Sequence, residues 1–288
     1  MFKQVSLALA AAAALFVSVP ASASDVVYPG GGTLAQVVDG GGTYSIITLM
    51  NLDTVPAPYT LYFLSDSGGY WTLNTSAGVA TGGILTGVLP VGGSTIIRTN
   101  DVGSTVNEGY AVVVSESPNC YGFGSGGYCQ LAGSTVFGIT LNGTVLEASC
   151  PLDTGTDYMI AFPFDSTTSV TGVALANSPG DKDYQIDGAQ TANLAISFYN
   201  QNGTNFYSTT MQLAFGQHTA FLLTNQFPQS IGQTGMVVIS ATDSSGNPYI
   251  IKTLGLRVNN AGTTYTSVTP VIPCNFYYSA ETGGYCTN

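Results

Sequence analysis

Apolar and polar residues alternate along much of this chain, and a period of two predicts β-strands rather than helices. Leu194, Ile196 and Phe198 alternate with Ala195, Ser197 and Tyr199, which sets large apolar groups on one face of an extended run. Earlier in the chain, Tyr59, Leu61 and Phe63 alternate in the same way with Thr60, Tyr62 and Leu64. Ile46-Ile47, Ile96-Ile97, Val112-Val113-Val114, Val237-Val238-Ile239 and Ile250-Ile251 add β-branched runs, which fit a pleated surface. Between them lie Gly68-Gly69, Gly82-Gly83, Gly92-Gly93, Asn142-Gly143, Asn202-Gly203 and Ser245-Gly246-Asn247-Pro248, all of them turn chemistry. Helix-period amphipathicity is absent, so the pattern predicts an all-β chain.

The pattern also occurs twice. Residues 45–51 (SIITLMN) read like 171–177 (TGVALAN), 89–95 (LPVGGST) like 213–219 (LAFGQHT), 112–115 (VVVS) like 237–240 (VVIS), and 137–142 (FGITLN) like 254–259 (LGLRVN). The pairs keep their order while their offset drifts, as expected of a duplicated unit whose copies carry different insertions. Short strands and glycine turns in two such units predict two tandem immunoglobulin-like β-sandwich domains. We place the first at 24–155, with a cysteine-bracketed insertion at 120–129, the second at 156–273, and a cysteine-bracketed C-terminal loop at 274–288. An outer-membrane barrel is the rival fold, but it would need alternating stretches of about ten residues. The runs here are shorter.

The second unit resembles a β-sandwich unit that recurs, often in tandem, in exported proteins of acidobacteria and related environmental bacteria. The resemblance rests on FPFDSTTSVTGVALAN (162–177), the YNQNG turn (199–203), LAFGQHTAFLLTNQFP (213–228) and LGLRVN (254–259). It covers most of 160–273 well and 40–150 in degraded form. It implies the sandwich fold and export, with no activity attached. The insertion 178–193 and the two cysteine-bracketed segments depart from it and inherit nothing.

Export is also expected from the first residues. Lys3 precedes an apolar run at 5–17, and Ala21-Ser22-Ala23 is a small-x-small cleavage site, so residues 1–23 read as a bacterial signal peptide. No later stretch approaches the ~18 apolar residues of a membrane span. With Lys3 removed, Arg98, Lys182, Lys252 and Arg257 are the only basic side chains against 16 acidic ones. Such a surface repels phosphate backbones and argues against a nucleic-acid partner. Only 7% of residues are charged, where soluble domains average roughly 25%. Ser, Thr, Asn, Gln and Gly must therefore supply the polar surface, which suits a protein secreted or held at the cell surface.

Five cysteines in an exported chain point to disulfides. Cys120 and Cys129 bracket one segment, Cys274 and Cys286 another, and both segments end in Gly-Gly-Tyr-Cys, so each pairs most simply with its near neighbour. Cys150 is left over, as a buried thiol, an intermolecular link or a sign of another connectivity. Asp181, Asp183 and Asp187 with Gly188 place three carboxylates in one loop, a calcium candidate that lacks the EF-hand spacing. Otherwise no cofactor is implied.

No catalytic constellation stands out. The sole histidine, His218, sits in a turn leading into a strand-like run, no Gly-x-Ser-x-Gly elbow accompanies it, and its counterpart in the first unit is Ser94. Glu108, Glu116, Glu147 and Glu281 have no spacing that singles out a catalytic pair. The aromatic residues are the best lead to a binding surface. Tyr70 and Trp71, then Tyr121, Phe123 and Tyr128, then Phe276, Tyr277, Tyr278 and Tyr285 all lie beside glycines. Sugar faces stack on exposed rings, but the same rings also pack over disulfides. The scarcity of lysine, which commonly protects sheet edges, leaves self-association open. Taken together, these features predict a non-enzymatic structural or adhesive protein that partners itself or other matrix components. Glycan binding is the alternative, and a secreted hydrolase comes third.

Overall fold

The computed structural model describes residues 31–115, 131–141, 143–153, 158–178, 190–259, 264–268, 270, 275–279 and 283–287. The expected signal peptide, Cys120, Tyr121, Cys129, Tyr128, Cys274, Asp181, Asp183 and Asp187 lie outside them.

The chain is an all-β sandwich protein. Its first half forms β1 (Gly31–Asp39), β2 (Thr43–Asn51), β3 (Ala57–Ser65), β4 (Leu73–Thr75), β5 (Gly78–Ala80), β6 (Ile84–Leu89), β7 (Ser94–Arg98), β8 (Asn107–Ser115), β9 (Leu131–Leu141) and β10 (Thr144–Pro151). These strands build two four-stranded antiparallel sheets, ordered β1-β8-β3-β6 and β10-β9-β2-β7, with β4-β5 as a small ribbon. The second half forms β11 (Met159–Asp165), β12 (Ser169–Ala176), β13 (Ala192–Asn200), β14 (Asn205–Leu213), β15 (His218–Leu222), β16 (Thr234–Thr242), β17 (Lys252–Asn259) and β18 (Tyr265–Val268). Its sheets run β11-β16-β13-β14 and β15-β12-β17-β18. Under the correspondence read from the sequence, in which β2 matches β12 and β9 matches β17, the strand orders of the two halves are the same. A hairpin of β19 (Asn275–Ser279) and β20 (Gly283–Thr287) follows.

The inner strands of each half keep the immunoglobulin arrangement, and the outer strands exchange sheets. In that fold the first strand lies beside the second. Here β1 crosses to pair with β8, and β9 takes the place beside β2. The second half repeats the exchange with β11 beside β16 and β17 beside β12.

Alternation determines which face is buried. Leu61 and Phe63 of β3, Ile47 and Leu49 of β2 and Val113 of β8 fill the first core. Ile196 and Phe198 of β13 lie opposite Ile239 and Val237 of β16 and fill the second. Each fully buried side chain of this size contributes roughly 1.5–3 kcal/mol relative to exposure. Phe198 anchors a group of rings, 5.3 Å from Phe227 and 5.7 Å from Phe164.

The duplication is also chemical. At the end of β2, the Asn51 side-chain amide donates to the carbonyls of Val55, Leu89 and Pro90. At the end of β12, Asn177 donates to Leu213 and Gln190 at 2.9 Å each. Leu89 and Leu213 are themselves matched residues, so one buried amide ties the same strand ends together in each half.

One local departure concerns Leu223–Gln226, a single helical turn (α1), followed by a 3-10 turn at Pro228–Ser230. Pro228 opens that turn at a position where its missing N–H costs nothing. Among the described residues, no helix is long and apolar enough to cross a membrane.

Candidate functional site: the junction between the halves

β1 is buried along its whole length. A register shift between Leu34 and Val37 turns the strand, so that Leu34 and Val37 enter the first core while Ala35 and Val38 face the other way. There they meet Phe137, Ala148 and Cys150 of β9 and β10, together with Ala174 and Leu254 of the second half. Alongside, Tyr110, Val112 and Val114 of β8 pack with Ala176 of β12. Gly172, Ala174 and Ala176 alternate along the outer face of β12, and the small side chains of Ala174 and Ala176 let the first half approach closely.

Polar pins surround this apolar contact. His218, the first residue of β15, is 3% exposed, and its Nδ1 lies 2.7 Å from Asp66 Oδ1. Its backbone N–H donates to the Asp66 carbonyl at 3.1 Å. Tyr110 stacks on the imidazole and donates its hydroxyl to the Gly216 carbonyl at 2.8 Å. The two turns that carry these groups touch backbone to backbone. Gly68 has φ 83°, and a Cβ there would stand 3.0 Å from the Gly216 carbonyl carbon. At the other side of the junction, Lys252 Nζ lies 3.2 Å from Asp153 Oδ1, and the Thr33 and Ser178 hydroxyls meet at 2.8 Å. The connection between the halves is itself held, because Asp153 exchanges both backbone hydrogen bonds with Thr33.

The electrostatics follow from this burial. Desolvation pushes the Glu108 carboxyl on β8 above the usual range, and the nearby Asp66 charge adds to it, while His218 and a hydrogen bond with Gln36 pull the other way. Burial raises the Tyr110 phenol, and the Tyr70 phenol nearby adds to it. It also pushes the Cys150 thiol up to about 12, in a residue that is 1% exposed.

The histidine therefore belongs to the junction. Its Nε2 is buried and has no hydrogen-bond partner among the described residues. Glu147 lies on the opposite face of the first half, where it accepts the Tyr44 hydroxyl at 2.5 Å while Arg98 stands 4.0 Å over the Tyr44 ring. Glu116 and Glu281 lie outside the described residues. Of the aromatic candidates, Tyr70 is 63% exposed and leans on Tyr62, whereas Trp71 is half-buried against the first core. Tyr277 and Tyr285 lie opposite each other in the β19-β20 register, with Tyr278 opposite Gly284 and Cys286 opposite Phe276. Among the described residues, no three His, Cys, Asp or Glu side chains group as metal ligands.

Sequence reasoning did not pick out Asp66, Tyr110 or Gln36. The available signal was compositional. In a chain with one histidine and few charges, an Asp in the Ser65–Gly69 turn of one half and a His at the start of β15 in the other are natural partners. Nothing in the spacing pairs them.

No protein-family model and no curated protein matches this chain. Among solved structures it is similar to a glycosyl hydrolase family 2 member from Bacteroides cellulosilyticus, at 14% identity and a TM-score of 0.17. The alignment covers 90% of this chain and 29% of that one, and a likeness this slight carries no argument.

Proposed function

We propose that this is a secreted, non-enzymatic structural or adhesive protein of the bacterial cell surface or extracellular matrix. The observation that carries this reading is the pinned junction. Two sandwiches joined by a loose linker move independently, but here an apolar contact, the His218–Asp66 pair, the Tyr110–Gly216 bond and the Lys252–Asp153 ion pair resist bending about the connection. A stiff unit suits a component that bears load or spaces other modules. The outward face of β13 and β14 supports the same role, because it offers hydroxyls and amides instead of charge. Ser197 meets Ser208 at 3.1 Å, and Gln212 donates to Asn193 at 2.9 Å.

The test is cell fractionation together with light scattering of the mature, oxidised chain. Retention at the cell surface, or assembly beyond one chain, is the expected result. A freely diffusing monomer with no surface retention would overturn the proposal.

A specific observation favours glycan binding as the second reading. Tyr70 presents an exposed ring braced by Tyr62, a geometry on which a sugar face can stack. Tyr70→Ala removes that ring without touching either core. If the reading holds, this variant loses retention on a polysaccharide column while its unfolding midpoint stays unchanged.

A further inference from the structure

Where the two halves diverge, a cleft of about 370 Å3 opens between them. That volume falls within the range of small-molecule pockets, ~300–1,000 Å3. One wall is the outer face of the second half, where Gly172, Ala174 and Ala220 supply no bulk and so leave the space. Phe137 of the first half and Leu256 of the second give the cleft an apolar body.

The polar side chains in this lining are Gln36, Thr43, Glu108 and Tyr265. Gln36 is 6% exposed, and its Oε1 has no hydrogen-bond partner among the described residues. A buried amide oxygen left without a donor costs roughly 1–3 kcal/mol, so an orphan of this kind calls for an explanation. Glu108, half-buried, also lines the cleft, with Asp66 as a second negative group nearby. Thr43, also in the wall, already gives its hydroxyl to the Gly40 carbonyl. The cleft therefore offers apolar walls, an amide oxygen that no described donor meets and a half-buried carboxyl with no Lys or Arg among the described residues against it.

We propose that this cleft binds a small apolar molecule carrying a protonated amine, with its body against Phe137 and Leu256 and its ammonium between the Glu108 carboxylate and Gln36 Oε1. An ammonium supplies donors to both acceptors and a counter-charge to the carboxylate. A neutral alcohol satisfies Gln36 but leaves Glu108 uncompensated, and a carboxylate ligand meets repulsion from Glu108 and Asp66. The net charge of −11 draws cations toward the protein in the first place. This assignment does not depend on the structural role proposed above.

Three probes with one shared body test it: phenethylamine, 2-phenylethanol and 3-phenylpropionate. Each is titrated into the full chain by calorimetry and by amide chemical shifts at Gln36 and Ala174. Phenethylamine is expected to shift both amides and to bind at least about tenfold tighter than the alcohol, as a charge-assisted hydrogen bond would give, with the carboxylate weakest. Glu108→Gln is expected to erase the difference between amine and alcohol while leaving the body's binding intact. Gly172→Val fills the cleft from a strand position where an added Cβ meets nothing closer than 3.5 Å, and it is expected to weaken the amine at least about tenfold through lost burial. Equal binding of amine and alcohol to the wild-type protein would overturn the proposal, as would the absence of any shift at the two amides. Because those comparisons need no substitution, they decide the matter even if a variant folds poorly.

Discussion

Gly138 shows how much one missing side chain can decide. It lies between Tyr44 and Glu147 on the outer face of the β10-β9-β2-β7 sheet, and a Cβ there would stand 2.7 Å from Tyr44 Cζ. The ring lies across the space so created, with its hydroxyl on Glu147 and Arg98 over its face. Gly138→Ala should dislodge it and cost about 1–3 kcal/mol in urea unfolding, as overpacking does. Gly172→Ala, which meets only ordinary contacts, should stay within about 0.5 kcal/mol of wild type. Cys150 permits a second prediction at this scale. Its burial and raised thiol predict no reaction with a thiol reagent in the native protein and full reaction after unfolding. Rapid native-state labelling would contradict the buried placement.

Two carboxyls have opposite consequences for pH. The Thr167 and Thr168 hydroxyls, with their backbone N–H groups, hold Asp165 well below the usual carboxylate range. Its stabilisation is therefore present above the unfolded pKa of about 3.9 and is lost as the pH falls toward the lower folded value. Asp165→Asn should flatten that acid limb of the stability profile. Glu108 is raised instead, mainly by burial, so the native state loses stability as pH rises through its unfolded and then its folded pKa. Glu108→Gln should accordingly raise the thermal midpoint at neutral pH and change little at pH 4.

At the scale of elements, the sequence was most legible where one face of a strand is buried and the other is wet. β13 shows this directly. Leu194, Ile196 and Phe198 are fully buried while Ala195 is exposed, as the alternation predicts. The repeated segments SIITLMN and TGVALAN became β2 and β12, and Asn51 and Asn177 close both in the same way. Asn177→Ala would leave buried carbonyls unpaired and should cost about 1–3 kcal/mol, with Asn51→Ala close to it. Two features resisted reading. β1 carries apolar groups toward two different neighbours, and its register shift breaks the period that would announce them. The exchange of outer strands depends on which sheet each edge joins, and alternation within a strand carries no information about that.

For the whole molecule, the junction is what the sequence concealed. Its residues are individually unremarkable, namely alanines on β12, a valine on β1 and a tyrosine on β8, and they become an interface only when two sheets lie face to face. The Asp66–His218 pair should show its worth in a double-mutant cycle. Asp66→Ala leaves the imidazole buried without its acceptor and should cost about 1–3 kcal/mol. Adding His218→Ser, the residue the first half carries at the matched position, should recover part of that loss. Simple additivity would mean that the pair does not couple the halves.

The most direct test uses the sole tryptophan. Trp71 packs against the first core, so its fluorescence reports unfolding of the first half. Ile196→Val weakens the second core by about 0.5–1.5 kcal/mol and touches nothing in the first. If the junction makes the two halves one cooperative unit, the Trp71 transition in urea shifts by that amount and coincides with the loss of circular dichroism. A Trp71 transition that stays where it is in the wild-type protein would show that the halves unfold independently, and would contradict the rigid junction on which the proposed role rests.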